Sequence, residues 1–317
     1  MRLEASLLSS MSYPPGRTPR SPIFATAAGT QRGPFGWVEW LLLAAVALIW
    51  GSSYLFIAIG LESLEPAVIT WGRVVLGSAV LMGLPGARRP VERADWGRIA
   101  ALGIVWSTIP FLLGPVSQQH ITSAMAGMIN SLVPICSAVI AALLLRSRPR
   151  FPLVVGILLG FVGAIGLTVP ARGDSPAINW GVLLAVVAVV FYALALNLAV
   201  PLQQKYGSPA VIMRALALAA VTTAPFGIAG LGGSEWSTGP VLAVVVLGIL
   251  NTGVAFALVT LLVGRVGTTR GSVAVYFLPI VAMVLGVLLR EETVLPIQVL
   301  GTGVVLLGAF LASRSES

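Results

Sequence analysis

Residues 66–84 read PAVITWGRVVLGSAVLMGL, an apolar run long enough to cross lipid that carries one arginine, Arg73, at its eighth position. The same four letters return at Pro209 in PAVIMRALALAAV (209–221), with Arg214 close behind. A permanent charge in an oily segment is costly, about 2.5–3.5 kcal/mol at mid-membrane on insertion scales, and normally faces a cavity or a partner. Its recurrence points to a chain built by duplication.

The composition puts these runs in lipid. Of 317 residues, 57% are hydrophobic and 9% charged, and the mean hydropathy is +0.97. Soluble domains carry about 25% charged residues, so this is an all-α polytopic membrane protein. A lipid core about 30 Å thick takes about 20 apolar residues per helix. On that ruler the chain has ten transmembrane helices, at about 37–60, 66–84, 97–117, 121–145, 151–170, 179–200, 208–230, 239–263, 269–289 and 294–313. Residues 1–36, rich in proline and without a signal-like apolar core, read as a disordered cytoplasmic tail, within which Met11 is a second candidate start. Residues 314–317 form the other tail.

Arginine and lysine placement orients the spans. An inside N-terminus puts fifteen of them in cytoplasmic segments, among them Arg88, Arg89, Arg146, Arg148, Arg150, Lys205, Arg265, Arg270 and Arg314. Only Arg172 and Arg290 then lie outside, and Arg73 and Arg214 fall within spans. Both termini are therefore expected in the cytoplasm, with the protein in the cytoplasmic (inner) membrane. The net charge of +8 is thus a topology signal, and no nucleic-acid partner is expected.

The duplication extends along the whole chain. LVPICSAVIAALLLRSRPRFPLVVGILLGFVGAIG from Leu132 resembles LPIVAMVLGVLLREETVLPIQVLGTGVVLLGAF from Leu278. An offset of 145 places Pro134 on Pro279, Gly156 on Gly301, Gly163 on Gly308 and Phe111 on Phe256. The repeats span 37–170 and 179–313. Five helices per repeat is an odd number, so the second must insert upside down. Two inverted five-helix repeats of this kind enclose a midplane site and alternate its access.

These residues resemble the EamA-type family of the drug/metabolite transporter superfamily, over about residues 38–313. IWGSSYLFIA at Ile49 resembles the family's first helix and PAVITWGR its second, ending in Arg73. SAMAGMINSLVPICSAVIAALLL and TTRGSVAVYFLPIVAMVLGVLLREE resemble the proline-bearing fourth and ninth helices. The family pattern puts glutamate thirteen residues after that proline; Glu292 complies, whereas the first repeat has Ser147. Arg214 follows its proline by five residues where Arg73 follows by seven. The resemblance implies a secondary carrier for a small metabolite (amino-acid-like, amphipathic or drug-like), working by alternating access and outward in direction.

The candidate substrate-binding residues are Trp50, Ser53, Arg73, Asn130, Tyr192 and Tyr276, with Pro134 and Pro279 as helix breaks. Arg73 is expected to face the cavity, against the alternative of snorkelling to the outer headgroups. Arg214, nearer its helix end, is expected to snorkel. Asn130 lies one turn before Pro134, whose missing donor frees the Asn130 carbonyl; it either lines the cavity or bonds another helix, and Tyr276 before Pro279 has the same two readings. Trp50, Ser52, Ser53 and Tyr54 interrupt the first helix with polar or small groups; Phe191, Tyr192 and Asn197 do so in the sixth. The glycines of GILLGFVGAIG and GTGVVLLG are read as packing devices for helices five and ten.

Enzymatic readings lack their residues. One histidine, His120, has no GxSxG setting, no HExxH is present, and both aspartates, Asp95 and Asp174, sit in loops. No nucleotide motif, metal set or cofactor site is expected, and the lone Cys136 forms no internal disulfide. The expected partners are the lipid bilayer and a small-molecule substrate. An intramembrane enzyme acting on lipid-linked substrates, and a non-transporting assembly or sensor protein, are the alternatives. No carboxylate falls near the midplane, so transport is expected to run down the solute's own gradient without proton coupling.

Overall fold

The computed structural model describes residues 35–144, 151–168, 176–266 and 271–313. No strand occurs among the described residues. The helices are α1 (Trp37–Gly60), α2 (Pro66–Met82), α3 (Arg93–Gln118), α4 (Ser123–Leu144), α5 (Phe151–Thr168), α6 (Pro176–Tyr206), α7 (Ser208–Gly230), α8 (Thr238–Val266), α9 (Val273–Arg290) and α10 (Pro296–Ser313). Seven helices are long and apolar enough to cross a membrane, while Pro66–Met82, Val154–Leu167 and Pro296–Leu311 are shorter apolar helices. Length and apolarity alone thus account for seven spans. The tail 1–34, the residues 314–317, and Arg146, Ser147, Arg148, Arg150, Arg172 and Arg270 lie outside the described residues.

Local chemistry sets the helix starts. Gly36 N–H donates to the Glu39 carboxylate at 2.9 Å, tying down the first turn of α1. Pro66 opens α2 and Pro209 lies in the first turn of α7, where a missing N–H costs nothing. Two helices widen into π geometry, α3 at Ile104–Thr108 and α8 at Ile249–Val254. Their starts are 145 residues apart, the offset read from the sequence. In α3 the cause is at hand: Pro110, just beyond, cannot donate to the ladder. The regular part of α4 breaks after Asn130 and resumes at Val133, and α9 begins as a 3-10 turn over Ser272–Phe277. Both changes fall immediately before Pro134 and Pro279.

Helices matched by the repeat also touch each other, running antiparallel. A side chain on Gly163 would strike the Gly301 carbonyl, and one on Gly308 would strike that of Gly156. Gly156 and Gly301, and likewise Gly163 and Gly308, are the pairs that the 145-residue offset superposes. Trp71 and Val68 of α2 pack on Gly227 and Gly230 of α7, and Gly127 of α4 meets Ala282 of α9. The glycines of α5 and α10 thus act as the close-approach devices expected of them. Leu158, Phe161, Leu300 and Leu307 are exposed on this pair, an apolar surface suited to hydrocarbon.

Polar bonds tie the two ends. At one end Glu62 pairs with Arg290, Ser63 Oγ lies 2.9 Å from Ser237 Oγ, and Glu292 reaches the start of α4. At the other, Arg265 bonds buried Glu39 at 2.6 Å, and Lys205 bonds Glu92 at 2.7 Å and Asp95 at 2.9 Å. Arg214 donates to the Ala87 carbonyl at 2.9 Å and to the Arg89 carbonyl at 2.8 Å. Where snorkelling was expected of it, Arg214 instead ties α7 to the segment that follows α2, with Trp96 beside its guanidinium.

Candidate functional site

A cavity of about 1100 Å³, counting its open mouth, lies between α1, α2, α3, α4, α6, α8 and α9. Five of the six candidate residues line it: Trp50, Ser53, Arg73, Asn130 and Tyr192. Tyr276 does not; its hydroxyl donates to the Ala309 carbonyl of α10 at 3.3 Å. The turn before Pro279 still contributes through Val275 and Leu278.

Arg73 is buried, at 9% exposure. Its Nε donates to Thr252 Oγ1 at 2.9 Å, and the Thr252 hydroxyl donates in turn to the Leu247 carbonyl at 2.8 Å. That second bond depends on the π segment of α8, whose wider turn puts Thr252 Oγ1 within reach of a carbonyl five residues back. The guanidinium also lies over the Phe111 ring, 4.1 Å from its centroid, a favourable cation–π placement. Phe111 is held in turn by Thr70, which donates to the Phe111 carbonyl at 2.5 Å. Among the described residues Arg73 has no carboxylate partner, and neither Nη atom makes a hydrogen bond. Among the described residues no Asp, Glu, His or Lys lines the cavity.

The remaining walls are aromatic. Phe256 sits edge-on between Trp50 (centroids 5.5 Å apart, 77°) and Trp106 (5.7 Å, 82°), and Phe111 leans on Tyr192 at 6.2 Å. Edge-to-face pairs of this kind are worth about 0.5–1.5 kcal/mol beyond their burial. The cluster lies toward the middle of α1, α3 and α8, while Ile57, Gln118 and Ala185 lie toward helix ends on one side. From this cluster, its floor, the lining runs toward the end of the molecule that carries Glu62, Arg290 and Glu292. Trp50 is braced from behind by Asn251, whose Nδ2 donates to the Ile49 carbonyl and to Ser52 Oγ. The Asn130 amide and the Tyr54 and Tyr192 hydroxyls make no side-chain hydrogen bond among the described residues, so the interhelical bond considered for Asn130 does not form. Ser53 Oγ and Gln118 Oε1 are buried without a partner.

Tyr54, Trp106, Phe111, Gln118, Thr252 and Phe256 were not among the candidate residues. A signal for two of them was present: the 145-residue offset superposes Phe111 and Phe256, which meet the cavity from opposite halves. Nothing comparable marks Trp106 or Thr252, which belong to π segments that hydropathy does not register.

A charged, aromatic cavity within a helical membrane fold is a site of the kind a membrane transporter needs. The EamA-like transporter family matches residues 37–169 and again residues 179–314, and the chain belongs to that family. It is similar to an uncharacterized transporter of Archaeoglobus fulgidus, 26% identical over 88% of this chain and 99% of the relative. It is also similar to a probable terminal-alkyne amino-acid exporter of Streptantibioticus cattleyicolor, 27% identical over 87% and 93% of the two chains. The uncharacterized inner membrane transporter YedA of Escherichia coli is 26% identical over 86% of this chain and 90% of its own. One solved crystal structure shares the fold, with a TM-score of 0.61 at 22% identity, covering 88% of this chain and 99% of the other. The protein is thus a multi-pass membrane transporter.

Proposed function

We propose that the protein is a secondary carrier that moves a small metabolite (amino-acid-like, amphipathic or drug-like) outward across the cytoplasmic membrane by alternating access. The observation that carries this reading is the cavity itself: open at one end, floored by Trp50, Phe256 and Trp106, and holding a buried arginine with unused donors. Such a half-channel suits one state of an alternating cycle. Its lining set is Trp50, Ser53, Arg73, Asn130 and Tyr192, with breaks before Pro134 and Pro279 giving the helices places to bend.

The mechanism rests on ten spans in two inverted repeats. Support comes from the antiparallel meeting of repeat-matched helices, α2 with α7, α4 with α9 and α5 with α10, because equivalent helices that run opposite ways insert oppositely. Exchange of the two halves' conformations would then close the present mouth and open the floor. The arginine asymmetry puts the mouth outside and both termini inside. Outward direction draws support from the exporter named among the relatives.

Energy enters through the solute's own gradient in this reading, since among the described residues no carboxylate lines the cavity to carry a proton. Purified protein in liposomes should move a bound solute in a saturable way, with a rate unchanged by an imposed pH gradient once voltage is clamped. Acceleration by an opposing proton gradient would remove the uncoupled mechanism. Absence of flux for every solute that binds would remove the carrier.

A further inference from the structure

We infer that the solute of this cavity is an amphipathic monoanion, a carboxylate on an apolar body, and that zwitterions and cations are disfavoured. This names the substrate class of the site and rests on the carrier reading above. The argument begins with charge. Arg73 is buried, its Nε is taken by Thr252, and neither Nη atom is used by the described residues. A guanidinium out of bulk water with no counter-ion is costly unless something pairs with it. The planar pair of Nη donors is the geometry that receives a carboxylate on two hydrogen bonds.

The cavity's other groups narrow the class. Among the described residues no acidic side chain lines the wall, so a zwitterion that placed its carboxylate on Arg73 would bring an ammonium with no anion to receive it. A cation would add a second positive charge near the first. An aromatic face can hold an ammonium, but the Phe111 face beside the carboxylate position is taken by Arg73 itself, 4.1 Å from its centroid. A single arginine among largely apolar walls neutralises one negative charge, not two, so a doubly charged phosphate is also a poor fit. The neutral polar groups that remain, the Asn130 and Gln118 amides, Ser53 Oγ and the Tyr54 and Tyr192 hydroxyls, suit an uncharged hydroxyl or amide on the solute. Trp50, Trp106 and Phe256 suit its apolar body.

A transport consequence follows. After a full cycle the protein returns to its starting state, so the only net charge moved is that of the solute. A monoanion carrier without a coupling ion is therefore electrogenic, and an inside-negative membrane drives its cargo outward.

The test is a charge series on constant bodies. 3-Phenylpropanoate, phenylalanine and 2-phenylethylammonium share a benzyl body, and indole and isobutyl series repeat the comparison. Thermal stabilisation of the purified full-length protein reports binding, because a ligand of the folded state raises its melting temperature. The anion should bind at least about tenfold more tightly than the zwitterion in one or more bodies, with no shift from the cation. In Arg73→Gln the anion's advantage should vanish. A zwitterion that equals or exceeds its anion in all three bodies, or an advantage that survives in Arg73→Gln, overturns the proposal. Should Arg73→Gln not fold, the series on the unaltered protein decides alone.

Flux separates this proposal from the carrier reading. In valinomycin-treated liposomes, corrected for leak through protein-free vesicles, a tenfold potassium gradient should establish a tenfold gradient of the anion. Uptake of phenylalanine that ignores voltage would overturn the monoanion and leave the carrier standing. Selective anion binding with no flux of any solute would uphold the monoanion and remove the carrier.

Discussion

Glu292 offers a sharp test of how the two halves are joined. Its Oε1 accepts from Ser123 N–H at 2.9 Å and from Ser123 Oγ at 2.7 Å, and its Oε2 accepts from Ala124 N–H at 2.8 Å. Ser123 and Ala124 open α4, where the first amides have no partner within the helix. The carboxylate therefore caps a helix of one half from the end of a helix in the other. Glu292→Gln keeps the shape, removes the charge and turns one acceptor into a donor facing a donor. Bonds to a charged group contribute about 1.5–3 kcal/mol each when protected. Glu292 is half-exposed and water replaces part of that, so a total loss of about 2 kcal/mol is expected. Ser123→Ala removes only the hydroxyl bond and should cost about 1 kcal/mol. Because both changes strike one network, the double variant should fall short of the sum by at least about 0.5 kcal/mol. Denaturant unfolding of the four proteins in detergent measures the cycle. A coupling within about 0.3 kcal/mol of zero would falsify the cap.

Three further outcomes follow from the packing and the topology. Gly301→Leu drives a side chain into the Gly163 carbonyl and should destabilise the α5–α10 pair by about 1–3 kcal/mol, read as a lower midpoint in the same unfolding assay; an unchanged midpoint would show that the helices can part freely. Phe256→Ala removes the ring between Trp50 and Trp106, and an aromatic loss of this kind costs about 3–5 kcal/mol. If the ring is the floor, liposomes bearing that variant should also leak solute passively, and tight vesicles would count against the gate. Reporter fusions after Arg314 should be active in the cytoplasm and those after Arg172 outside; the reverse pattern would overturn the orientation.

The membrane class and the helix positions were legible in the chain alone, because lipid imposes a crude rule that hydropathy can read. Every backbone group must be satisfied within its own helix, and about 20 apolar residues are needed per crossing. The 145-residue offset was legible for a similar reason: close helix contacts admit only glycine, so Gly156, Gly163, Gly301 and Gly308 survive as a pattern. Arg73 stood out because charge in such a run is expensive. Which way side chains point was not legible. A helix apolar on all sides shows no polar face from which to deduce its neighbours. Tyr276 turns to α10 although Tyr192 reaches the cavity. Thr252, in the π segment of α8, reaches Arg73 of α2, and Trp106, in the π segment of α3, reaches Phe256 of α8. The sequence by itself thus determined the membrane class and the helices, each set by local composition. Packing between helices far apart in the chain decided that Arg73 would face an aromatic cavity with its outer donors unpaired.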